Sequence, residues 1–208
     1  MLNFKSHMNE PLNESALTAL RVATKAHKGQ FRKSGGEYIA HPKEVARFVK
    51  QFKKSNNLSA MIQAAYLHDT LEDTDTTYQD LVKQFGALVA DMVQELTTDK
   101  AASDAIGKGE YIANKMAKMS SWALVVKLAD RLDNVQDLNK FEYAKAKSKV
   151  EETEYIVKFL IEERGYDKMN KASENMIGAI LVKIVAWREA HGPKAYVPVH
   201  RDEQTKTN

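Results

Sequence analysis

The chain has 208 residues, 43% of them hydrophobic, which suits one buried core and leaves no room for a second catalytic domain. Lys and Arg number 31 against 28 Asp and Glu, too small an excess to argue for a nucleic-acid polymer as partner. The absence of Cys excludes disulfides, thiolate metal sites and Cys nucleophiles, and it suits a reducing compartment.

Residues Met1 to Glu14 lack the apolar centre of a secretory signal, and no later run reaches the roughly 18 apolar residues of a membrane span, so a cytoplasmic protein without membrane contact is expected. A loop rich in Gly and basic residues runs from Gly29 to Tyr38. His41-Pro42 then opens a helix whose apolar stripe is Val45, Phe48, Val49 and Phe52. The stretch Met61 to Leu67 is largely apolar and leads into His68-Asp69-Thr70-Leu71-Glu72-Asp73, followed by a turn at Asp73 to Thr77. After Gly86, Val89, Met92, Val93 and Leu96 mark another helix, and Thr97 to Gly109 reads as a polar loop. A further helix starts near Ala123, carries Val125, Leu128 and Leu132, and is expected to continue through Leu138. Val150, Val157 and Leu160 mark a helix beyond it, and Ile177, Ile180, Leu181 and Ile184 a last one. Strand alternation is lacking, and the pattern predicts an all-α bundle. Pro193, Pro198 and the polar residues around them predict a tail over 193–208.

The chemistry concentrates in three places. On one continuous helix at about 100° per residue, His68, Asp69, Glu72 and Asp73 would fall within an arc of about 140° and face one cavity. A lone His-Asp pair is more often a capping cluster, but two other segments supply similar groups. His41 lies at a helix mouth, and Asp130 follows an apolar run on a helix that should be buried, where a carboxylate needs a partner. Two imidazoles and two carboxylates suit Mn²⁺, Fe²⁺, Co²⁺ or Zn²⁺, with room for water and phosphate oxygens. Glu72 and Asp73 would then orient the water or accept its proton. Lys127, Asp130, Asn134 and Asp137 recur at steps of three and four and would share one polar helix face, a pattern more often just solvated. The loop cations Lys25, Lys28, Arg32 and Lys33 also read as ordinary surface, except that the loop runs into His41, within reach of phosphates held there. Of the other histidines, His191 and His200 read as tail residues, His7 as surface, and His27 as either a core residue or a support for the site.

The segments Ala26 to Gly35, Tyr38 to Pro42, Leu67 to Thr74, Phe85-Gly86 and Val126 to Asn134 occur in the order found in the hydrolase domain of RelA/SpoT-type alarmone enzymes. The ordered set resembles most closely the stand-alone small alarmone hydrolases of animal type. That resemblance implies a single HD-domain helical bundle over 1–192, with its motif core at about 15–140 and further helices at about 144–190. It implies Mn²⁺, or another divalent cation, on His41, His68, Asp69 and Asp130, and removal of the 3′-pyrophosphate from (p)ppGpp. By motif position Glu72 and Asp73 would serve the attacking water, Arg32, Lys33 and Ser34 would hold the nucleotide, and Asn134 would face its sugar or base.

Two positions depart from the long enzymes of the family, where His commonly replaces Asp133 and Thr commonly replaces Asp137. A carboxylate at Asp137 would accept hydrogen bonds from the guanine edge, or would alter base choice. The alternatives to (p)ppGpp are therefore (p)ppApp, a nicotinamide dinucleotide phosphate, or a nucleotide-sensing module without turnover. Oligomeric state is left open, a homo-oligomer included.

Overall fold

The computed structural model describes residues 13–33 and 35–192, so Ser34 and the expected tail at 193–208 lie outside the described residues, as do His7 and His200. The helices are α1 (Glu14–Ala26), α2 (Ala40–Phe52), α3 (Leu58–Leu67), α4 (Thr70–Asp73), α5 (Tyr78–Phe85) and α6 (Ala87–Leu96). They continue as α7 (Lys100–Ile106), α8 (Lys108–Lys118), α9 (Ser121–Asn134), α10 (Tyr143–Arg164) and α11 (Lys171–His191). Among the described residues no strand forms beyond a single bridge, Phe31 with Glu37. The expected all-α bundle is what the chain folds into.

Two helices form the centre. In α3 every residue from Met61 to Leu67 is buried, and in α9 every residue from Ala123 to Asp133 is. A helix apolar on all sides must be surrounded, and α3 packs against α1, α2, α6 and α9. α1 presents Ala16, Ala19 and Ala23, small enough for close approach. α9 in turn touches α2, α6 and α11, while α10 packs on α8. The burial of α9 includes Lys127, Asp130, Arg131 and Asp133, charges that persist inside only with partners.

Four local expectations are corrected. The segment from Met61 to Asp73 is not one helix: α3 stops at Leu67 and α4 restarts at Thr70. Side chains drive the break, because Thr70 Oγ1 donates to the Leu67 carbonyl (2.7 Å) and His68 Nδ1 meets the Ala65 carbonyl (2.9 Å), satisfying groups that a longer helix would have bonded. The polar stretch Thr97 to Gly109 is not a loop, since Asp99 accepts the Ala102 N–H (3.0 Å) and caps α7, and Gly107, with φ +91°, separates it from α8. The helix through Asp130 ends at Asn134 instead of Leu138, and a short 3₁₀ turn follows over Leu138–Lys140. His191, expected in the tail, is the last residue of α11 and stacks on Trp187.

Candidate active site

The helix ends bring the chemistry to one point. His41 stands in the first turn of α2, His68 and Asp69 occupy the break after α3, and Asp130 lies two-thirds of the way along α9. The Nε2 atoms of His41 and His68 are 3.2 Å apart. Asp69 Oδ2 lies 2.9 Å from His68 Nε2 and 3.7 Å from His41 Nε2, and Asp130 Oδ1 is 3.4 Å from His41 Nε2. His41, His68 and Asp130, all buried, each offer a ligand atom within 4.8 Å of the others.

The outer nitrogens decide what these atoms can be. His68 Nδ1 faces the Ala65 carbonyl and His41 Nδ1 faces Asp133 Oδ2 (2.6 Å), so with a cation bound each ring would keep its proton on Nδ1 and turn a lone pair inward from Nε2. Two lone pairs and two carboxylate oxygens then crowd one spot, an arrangement that repels itself unless a cation sits among them. The separations suit ligand atoms around a first-row divalent ion with bonds of about 2.0–2.2 Å. The donor set thus fits a divalent metal.

Without such an ion a proton takes its place. Burial opposes charge on His41, but hydrogen bonds to Asp130 and Asp133 and the charge of Asp69 outweigh it and push the ring up to about 9. Burial also opposes charge on Asp69 and Asp130, yet both stay below the usual carboxylate range. His68 and His41 hold down Asp69, and Lys127, His41 and Arg131 hold down Asp130. Lys127 Nζ is 2.9 Å from Asp130 Oδ2. The Tyr38 hydroxyl donates to Asp69 Oδ2 (2.5 Å), and burial followed by the Asp69 charge raises its pKa, so it remains a donor.

These groups form one wall of a cavity of about 460 Å³. Arg32, Lys33, Lys108, Lys127, Arg131 and Lys149 supply cations around it, with Phe31 and Phe141 among the lining residues. Burial, then Arg131 and Lys108, lower the pKa of Lys149, while Glu152, paired with Arg131 (2.7 Å), works in the other direction. Such a cavity calls for a small polyanion.

A profile of the HD domain matches residues 19–161. The chain belongs to the HD domain family. Guanosine-3′,5′-bis(diphosphate) 3′-pyrophosphohydrolase of Danio rerio is 40% identical to it over 126 residues, which are 60% of this chain and 69% of that protein. A GTP pyrophosphokinase of Streptomyces coelicolor is 33% identical over 198 residues, 89% of this chain but 23% of that protein. The solved structure of a metazoan ortholog of SpoT that hydrolyses ppGpp matches this HD domain with a TM-score of 0.67 and 26% identity, over 84% of this chain and 97% of that one.

Within the HD domain, Asp69, Glu72 and Asp73 line the cavity with His41, Asp130, Arg32, Lys33 and Asn134, while His68 sits buried behind them. Glu72 Oε2 accepts the Thr98 N–H (2.9 Å), and Asp73 has its pKa raised by burial and by the charges of Asp69 and Glu72. Asn134 lines the cavity, and its Nδ2 donates to Asp130 Oδ1 (2.6 Å). Asp137 is the exception. Because α9 has ended, its carboxylate pairs with Lys140 (3.1 Å), and it is absent from the cavity lining.

His27 supports the site at one remove, since it meets Gln30 (2.7 Å), which donates to the Asp73 carbonyl (2.8 Å), and its ring packs on Tyr38. Sequence reasoning missed Tyr38, Lys108, Arg131, Lys149 and the role of Asp133. Arg131 and Asp133 were detectable, as charges inside an apolar helical run. Lys108 and Lys149, one on a short helix and one on a largely solvated helix, carry no local mark.

Proposed function

We propose that this HD domain is a metal-dependent hydrolase that removes the 3′-pyrophosphate from guanosine-3′,5′-bis(diphosphate)-type nucleotides, with Mn²⁺ as the first candidate for its cation. The observation that carries this reading is the meeting of four candidate ligand atoms of His41, His68, Asp69 and Asp130 at a cavity whose wall also carries Arg32, Lys33, Lys108, Lys127, Arg131 and Lys149. The activities of the relatives, 3′-pyrophosphohydrolysis of guanosine-3′,5′-bis(diphosphate) and hydrolysis of ppGpp, agree with it.

When bound, the cation supplies Lewis acidity toward water and a phosphoryl oxygen. Glu72 and Asp73, at the cavity wall, orient the attacking water and accept its proton. Burial and the charges of Asp69 and Glu72 raise the basicity of Asp73, and the Thr98 N–H fixes one oxygen of Glu72, leaving its other oxygen to hold the water and share its proton. Tyr38 and Asn134 fix the carboxylates of Asp69 and Asp130. Arg32 and Lys33 on one side, and Lys108, Arg131 and Lys149 on the other, neutralise the two diphosphates of the substrate. Water oxygen bonds to the phosphorus next to O3′ as the P–O3′ bond breaks; O3′ keeps the bonding pair and takes up a proton equivalent to the one the water gave up, so the products are the 3′-hydroxyl nucleotide and pyrophosphate.

The placement of Asp137 favours a second reading for the base. With its carboxylate paired to Lys140 outside the cavity lining, it offers nothing that would select guanine, so an adenine counterpart enters on similar terms. Purified protein given Mn²⁺ and either ppGpp or ppApp should release pyrophosphate, and chelation should stop it. Folded, metal-loaded protein that releases none from either nucleotide would refute the assignment.

A further inference from the structure

Asp133 is buried, 4% exposed, in the same turn of α9 as Asp130, yet it makes no ion pair along its own helix. One oxygen, Oδ2, takes two donors from distant parts of the chain. It lies 2.6 Å from His41 Nδ1 and 2.6 Å from Arg32 Nη2. His41 belongs to the cation site, and Arg32 belongs to the phosphate-facing wall, where its side chain is 16% exposed. The two other carboxylates near His41 approach its Nε2, so Asp133 alone among them acts on the far side of the ring.

We infer that Asp133 is a positioning residue that couples the cation site to the nucleotide grip, by holding the His41 proton on Nδ1 and by pinning Arg32 against the cavity wall. This rests on the reading of the four-residue site as a cation site. A carboxylate accepting the outer N–H of a ligating imidazole fixes the ring's tautomer and orientation and strengthens its inner nitrogen as a donor. The same negative charge allows the half-buried guanidinium of Arg32 to stay at the cavity edge, with its remaining N–H groups free for phosphate. Both tasks depend on one oxygen, so one substitution should disturb both.

The test uses the full-length protein, stripped of metal, with Asp133→Ala, Asp133→Asn and Arg32→Ala compared with the unsubstituted chain. Mn²⁺ and Co²⁺ affinities are measured by competition with a chelating dye, His41 tautomer by imidazole ¹⁵N NMR on the metal-free protein above about pH 9, where the ring is neutral, and KM and kcat on ppGpp separately. Asp133→Ala should weaken metal binding by about 10- to 100-fold, abolish the Nδ1–H signature of His41 and raise KM. Arg32→Ala should raise KM and leave metal affinity unchanged, which a general loss of packing would not reproduce. Should the alanine variant not fold, Asp133→Asn decides, because it keeps the volume and an acceptor oxygen but loses the charge. Metal affinity and His41 tautomer equal to those of the unsubstituted chain, in either folded Asp133 variant, would overturn the inference. An unsubstituted chain that binds neither ion would instead overturn the cation site itself.

Discussion

Replacing Glu72 by Gln separates a chemical role from a structural one, because the two effects differ widely in size. Glu72 Oε2 accepts the Thr98 N–H at 2.9 Å and its side chain is half-buried at the cavity wall. Gln keeps an oxygen for that N–H, so a charge-assisted bond of about 1.5–3 kcal/mol becomes a neutral one of about 0.5–1.5 kcal/mol. The expected loss of stability is about 1 kcal/mol, or about 2–4 °C in Tm for a chain of this size. A positioned group that handles the proton of the attacking water contributes about 10²- to 10⁴-fold to rate, about 2.7–5.4 kcal/mol at about 1.36 kcal/mol per tenfold. At 25 °C the variant should therefore be folded and metal-loaded, with kcat lowered by two to four orders of magnitude. Pyrophosphate release under saturating ppGpp, read beside metal content and a melting curve, measures all three. Full turnover with normal metal content would refute the proposed handling of water, and loss of the metal would make Glu72 a ligand instead.

Asp130→Asn should abolish detectable turnover and weaken Mn²⁺ binding by more than about 100-fold, since the ligand loses its charge and Lys127, 2.9 Å away, loses its counter-ion. Equilibrium dialysis against Mn²⁺ checks this. Asn134→Ala should lower metal affinity about tenfold, because its amide restrains Asp130 Oδ1 at 2.6 Å; an effect confined to KM would place Asn134 on the nucleotide alone. Cation uptake should release about one proton near pH 7, measurable by calorimetry in buffers of different ionisation enthalpy, because His41 in the cation-free protein is raised from 6.5 to about 9 and must give up its proton to bind. The sign for stability follows from the same shift. A His raised on folding stabilises the cation-free protein fully below 6.5, and that stabilisation is lost as pH rises through about 9, which melting curves across that window should show.

The helical class, the apolar stripes and the candidate ligand residues could be picked out from spacing and residue type. Val45, Phe48 and Val49, or Leu128 and Leu132, recur with the helical period, and that period alone assigns a buried side. His41, His68, Asp69 and Asp130 stood out because each follows or opens an apolar segment, where a polar group demands a reason. The break at His68-Asp69 was not readable. It depends on Thr70 and His68 taking backbone carbonyls, a local choice that a helical period does not encode. Asp137 looked like part of the working face only while α9 was assumed to run on to Leu138, and its pairing with Lys140 followed from the earlier end of that helix.

Composition and order along the chain thus determined the kind of fold and the types of ligand it would offer, since those follow from hydrophobic periodicity and from the rarity of buried charge. Only the tertiary structure decided that one oxygen of Asp133 would reach both His41 and Arg32, and that Lys108 and Lys149 would complete the cationic wall. Contacts between residues 92 and 101 positions apart arise from how helices pack, and packing angles are set by the whole core rather than by any local run of residues.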